Sequence, residues 1–200
     1  MKNLLTIVLL CPVLICASAH PSADGDNQAS SEAKTTNQYG AYSFLISEWE
    51  VRAGEGGPII GVTRVRWGPN QSYIWYSQSL LFDDREQPHL EGILVWNGVH
   101  KNLDMLLSMD LKTGRVQEQG TMSVGADGVL IRDITAVFSA GARPLGMEMV
   151  GSDGATTRYR ETYQQIGPEK IVTSATRQVG DKWVPTFPGS DHLVMVRRGG

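Results

Sequence analysis

Apolar and polar residues alternate with a period of two along most of the chain beyond residue 42. The clearest run lies between Lys101 and Asp110. There Leu103, Met105, Leu107 and Met109 alternate with Asn102, Asp104, Leu106, Ser108 and Asp110. Alternation of this kind buries one face of a strand and leaves the other wet. In the next run Val116, Met122 and Val124 stand against Arg115, Gln117, Gln119, Thr121 and Ser123. Leu145, Met147 and Met149 form a further run, and Leu193 with Met195 ends the series. Turn chemistry separates the runs, as in Gly56-Gly57-Pro58, Gly68-Pro69-Asn70, Asn97-Gly98, Thr113-Gly114, Asp127-Gly128 and Asp153-Gly154. Asn-Gly and Asp-Gly supply the positive φ angles of tight hairpins. The pattern predicts strands near 44–53, 60–67, 72–80, 90–97, 101–110, 115–124, 129–138, 145–151, 156–165, 170–178 and 192–197. No long amphipathic stretch with helix caps interrupts them. The expected fold is all-β, an antiparallel up-and-down barrel of about 8–11 strands, because closure removes the exposed edges of hairpin-linked strands.

The start of the chain breaks this pattern. Met1-Lys2-Asn3 is short and basic, Leu4 to Ile15 is almost wholly apolar, and Ala17-Ser18-Ala19 supplies small residues. These are the three parts of a secretory signal, so the reading assigns residues 1–19 to a signal peptide and the protein to a secreted or periplasmic location. At about 12 apolar positions the run is shorter than the roughly 20 a spanning helix needs, so no integral membrane segment is expected after cleavage. His20 to Gly40 is rich in Ser, Asp, Asn and Gln, which predicts a flexible linker over 20–41 and a barrel domain over 42–198. Cys11 and Cys16 both fall in the signal, each preceded by a large residue, which argues against lipidation. The mature chain then has no disulfide, thiol nucleophile or thiolate metal site.

Composition narrows the picture further. The chain is 41% hydrophobic, enough for a packed core. Its formal net charge of -3 offers no electrostatic case for nucleic acid or an anionic membrane. His89, His100 and His192 show no metal-ligand spacing, and the adjacent residues Ser190-Asp191-His192 diverge too far to form a triad. No phosphate-binding loop, nucleophile elbow or dinucleotide fingerprint is present. No catalytic residue, metal or cofactor is therefore assigned.

Phe44-Leu45-Ile46-Ser47-Glu48-Trp49-Glu50-Val51 resembles the first strand of calycin-type, lipocalin-like barrels, in which a Trp closes the barrel base. Tyr159-Arg160-Glu161-Thr162 and Gly180-Asp181-Lys182-Trp183 are similar to later motifs of a lipocalin-like domain of unknown function found in exported bacterial proteins. Ser47 stands where that family usually has Gly. The resemblance spans about residues 42–198 and implies a barrel with a ligand-sized interior, without implying a reaction or a known ligand.

The candidate site follows from residues that sit oddly on their faces. Arg132 shares a face with Leu130, Ile134, Ala136 and Phe138, so it must snorkel to an end or pair with an acid. Glu161 lies between Tyr159 and Tyr163 on one face. Arg132 and Glu161 are expected to point inward and hold the polar group of a ligand. Tyr73, Trp75 and Trp96 on neighbouring strands, with Met105 and Met147 as adaptable apolar surface, complete the candidate ligand-binding set. The expected ligand is small and apolar or amphipathic. Two other classes remain open: a small isomerase, hydratase or hydrolase on the same barrel, and a non-catalytic interaction module.

Overall fold

A computed structural model describes residues 37–111, 113–143 and 148–199. The expected signal peptide, nearly all of the linker, and Met147 lie outside the described residues.

Nine strands follow one another as hairpins: β1 (Ser47–Arg52), β2 (Ile59–Trp67), β3 (Ile74–Phe82), β4 (Arg85–Asn97), β5 (Asn102–Leu111), β6 (Gly114–Val124), β7 (Leu130–Phe138), β8 (Ala155–Gly167) and β9 (Lys170–Val179). Each pairs antiparallel with the next. Two shorter strands, β10 (Lys182–Pro185) and β11 (Leu193–Arg197), complete the sheet. β8 runs along one edge of β9, from Tyr159 opposite Arg177 to Gln165 opposite Ile171. β10 and β11 share the other edge, with Val184 opposite Arg177 and Met195 opposite Ile171. β11 also pairs with β1, Val51 facing Met195, and this closes a ten-strand up-and-down barrel.

Alternation explains the core. Along β7 buried Leu130, Arg132, Ile134, Ala136 and Phe138 alternate with partly exposed neighbours. Leu103, Met105 and Leu107 do the same on β5. Two strands of the wall also approach each other closely. A Cβ at Gly120 would stand 1.9 Å from the Asp133 carbonyl oxygen, so only glycine lets β6 and β7 approach as they do there.

One end of the barrel is plugged. A 3-10 helix, Gly40–Leu45, brings Tyr42 and Leu45 into the core, and Tyr39 is buried just before it. These residues precede or straddle the domain boundary expected at 42. The Trp49 indole is fully buried and donates to the Leu45 carbonyl at 2.8 Å, while the Arg197 guanidinium lies 4.7 Å above its ring. The Tyr39 hydroxyl donates to the Ser72 carbonyl at 2.8 Å and accepts from the Trp96 backbone N–H at 3.2 Å. Tyr42 reaches across to the Met122 carbonyl at 3.2 Å.

Three expectations need correction. The start of the run at 44–53 is helical up to Leu45. β10 is an additional strand. Residues 148–151, the described part of the strand expected at 145–151, lie in the β7–β8 connection, and Met149 is exposed. No strand edge is left there for residues 148–151 to join, because β6, β7, β8 and β9 already pair in order.

Candidate ligand-binding site

The half of the barrel away from the 3-10 helix contains a cavity of about 360 Å³. Its walls include Leu80, Leu90, Met109, Val116, Phe138 and Met195. Toward the plugged end the lining turns polar, with Arg132, Glu118, Glu161, Tyr76 and Tyr163.

Strand register assembles this polar base. Arg132 on β7 lies opposite Glu161 on β8, and Leu130 opposite Tyr163. Tyr76 enters from β3, on the inward face it shares with Ile74. Arg132 is 1% exposed. Its Nη2 donates to Glu161 Oε1 at 3.1 Å and lies 3.8 Å from Glu118 Oε2. The guanidinium sits 5.0 Å from the centre of the Tyr76 ring, within cation–π range. The Tyr163 hydroxyl donates to Glu161 Oε2 at 2.5 Å. On Arg132 and Glu118, three buried atoms lack a hydrogen-bond partner within the protein: Arg132 Nε, Arg132 Nη1 and Glu118 Oε2. Each such atom costs a fold about 1–3 kcal/mol.

The electrostatics follow from burial and from these neighbours. Burial pushes the Glu118 carboxyl up to about 7, Arg132 works against that shift, and Glu161 adds to it. Burial opposes the charge on Arg132, but Glu161, Tyr163, Tyr76 and Glu118 outweigh it and hold the guanidinium well above its ordinary value. Burial raises Tyr76 and raises Tyr163 well above the usual phenol range, and it takes Tyr159 up to about 12 with help from Glu118. His89, which also lines the cavity, is pushed toward its neutral form by burial. Near neutral pH the cavity base therefore holds one fixed cation, undissociated tyrosines and a carboxyl, Glu118, poised between its two forms.

The structure brings Arg132, Tyr159, Glu161 and Tyr163 together in the cavity wall. It places the other described candidates elsewhere. Tyr73 lies against Gly68 in the β2–β3 connection, so close that a Cβ at Gly68 would meet its ring at 2.5 Å. Trp75 points outward beneath Arg66, whose guanidinium is 5.6 Å from the ring centre. Ile74 and Tyr76 occupy the inward face of β3 instead. Trp96 belongs to the plugged end, 6.4 Å from Tyr39. Met105 is buried in the core but does not line the cavity.

Glu118 and Tyr76 are the functional candidates that sequence reasoning missed. Glu118 carried a readable signal. It has the same parity as Val116 and Met122, so the alternation that turns those two inward turns it inward as well.

Among the described residues, no three His, Cys, Asp or Glu side chains converge so as to hold a metal ion. No described helix is long and apolar enough to cross a membrane. No protein-family model matches the chain, and no curated protein matches it.

Proposed function

We propose that this chain is an exported lipocalin-like barrel that binds a small, mostly apolar molecule with one polar end. The observation that carries the reading is the pairing of an apolar cavity with buried, unpartnered polar atoms on Arg132 and Glu118 at its base. A cavity of about 360 Å³ falls within the range of ligand pockets, about 300–1,000 Å³, and differs from an interior filled by side chains. The lipocalin-like part of the reading is supported by the up-and-down closure and by Trp49, buried at the base. Export is supported by the basic start, apolar run and Ala17-Ser18-Ala19 of the sequence.

Native mass spectrometry of the full chain purified from its own source tests the binding reading. The expected result is an additional small mass that organic solvent releases. Repeated preparations carrying only the bare polypeptide mass would count against it.

One observation favours a second reading, a small enzyme that moves a proton. A carboxyl raised to about 7 beside a buried guanidinium in an apolar cavity is suited to general acid–base work. Loaded protein kept in deuterium oxide would then return a ligand with deuterium at carbon, and Glu118→Gln would stop the incorporation. An unlabelled ligand would rule this reading out.

A further inference from the structure

The polar groups at the cavity base restrict which head group can enter. Arg132 commits Nη2 to Glu161 and leaves the N–H groups on Nε and Nη1 without acceptors. Glu118 Oε2 has no donor, and the Tyr163 hydroxyl is already given to Glu161. With Glu118 ionised, a matching head group must accept from the guanidinium and donate to the carboxylate.

Charge then separates the candidates. A carboxylate or phosphate brings acceptors but no donor, so it fits only a protonated Glu118; against the ionised form it adds negative charge beside Glu118 and Glu161 with one arginine to balance all three. An ammonium brings donors alone and stands beside a buried cation. A primary carboxamide satisfies both sides and adds no charge. We infer that this site takes an amphiphile with an uncharged head in which a carbonyl adjoins an N–H, the carbonyl received by Arg132 and the N–H given to Glu118. The inference rests on the ligand-binding reading above and names the chemical class of the ligand.

Binding of this kind is linked to protons, because a donor head group needs Glu118 ionised. Arg132 on β7 and Tyr159 and Glu161 on β8 interact with Glu118, and Tyr163 on β8, Tyr76 on β3 and His89 on β4 line the same cavity. The tyrosines hold their protons, Arg132 its charge, and His89 leans to neutral. With Glu118 titrating near 7, binding expels its proton, and affinity rises about tenfold between pH 6 and pH 8.

The test is calorimetric titration of the full chain with decanamide, decanoate and decylammonium, at about pH 6 and about pH 8. Decanamide is expected to bind most tightly, with the tenfold gain at the higher pH. Glu118→Gln, which is isosteric but uncharged, should weaken decanamide and remove the pH dependence of the binding that remains, with circular dichroism confirming its fold. Tighter binding of decanoate at both pH values overturns the inference, and so does decanamide binding that ignores pH. Equal binding of all three probes overturns the head-group assignment while leaving the apolar cavity as a binding site. Failure of every probe to bind overturns both.

Discussion

At the plugged end of the barrel Tyr39, Tyr42 and Trp49 each set their polar atom on a backbone carbonyl and bury the rest of the ring. Elsewhere in the same sheet, on β7 and β6, Arg132 and Glu118 are also buried, yet keep polar atoms with nothing to bond. The two regions share one sheet and one pattern of alternation. They differ in what the inward positions carry. Aromatic rings with one polar tip fill space and satisfy themselves on the backbone. Ionic groups facing a cavity depend on one another, and three of their atoms are left for something else. The first arrangement stabilises the barrel, and the second carries a standing penalty in stability, which is common where a site is built for binding.

The largest test of this contrast is Trp49→Ala. It should lower unfolding free energy in urea by up to about 5 kcal/mol, whereas Met109→Ala, which only widens an existing void, should lose less than half as much. Equal losses would erase the distinction between the two regions. Arg132→Met comes next. It leaves Glu118 and Glu161 facing each other without a cation, at a loss of about 3 kcal/mol near pH 8. That loss should shrink on acidification, as Glu118 takes up its proton around 7. A loss independent of pH would mean the cluster is not electrostatically coupled.

Glu118→Gln should act in the opposite direction. The Glu118 carboxyl titrates at about 7 in the fold against an ordinary value of 4.5, so folding favours its protonated form. Its contribution to stability is full below 4.5 and is lost as pH rises through 7, a swing of about 3 kcal/mol. The glutamine variant, uncharged throughout, should therefore be more stable than the parent near pH 8 by about 2–3 kcal/mol and no different at acid pH. Thermal melts across that range measure this, and an unchanged profile would show that Glu118 is not penalised by burial. The smallest effect belongs to Tyr39→Phe. It removes the hydroxyl linking Ser72 and Trp96, with an expected loss of about 1 kcal/mol and no change in its pH profile.

The strands were legible because each buried row is read by one parity, as with Leu103, Met105 and Leu107. Features without a period were not. The turns of Gly40–Leu45 are too short to show a helical repeat, and the apolar pair Phe44 and Leu45 runs on into the pattern of the strand after them. β10 is four residues ending in Pro185, which suits an edge but gives alternation little room. Met149 and its described neighbours show the converse, since alternation alone makes no strand when no edge is free to pair.

The site divides in the same way. Arg132 stood out as one charge among four apolar neighbours, and the ladder then set Glu161 opposite it. On β3 both faces carry aromatic residues, Tyr73 with Trp75 and Ile74 with Tyr76, so parity could not say which faces inward. The register with β2 and β4, which sequence alone does not show, decides it.

The seam between β1 and β11 has a consequence for how the protein is made. Every other pairing in the ring joins strands that are neighbours, or nearly so, along the chain, and can form while synthesis proceeds. The seam joins Trp49 to Arg197, so a ribosome must deliver almost the whole described chain before the ring can close. Until then the nascent protein is an open sheet whose first strand has an unpaired edge, the condition in which β proteins stick to one another. The last strand to emerge caps that edge and ends the hazard.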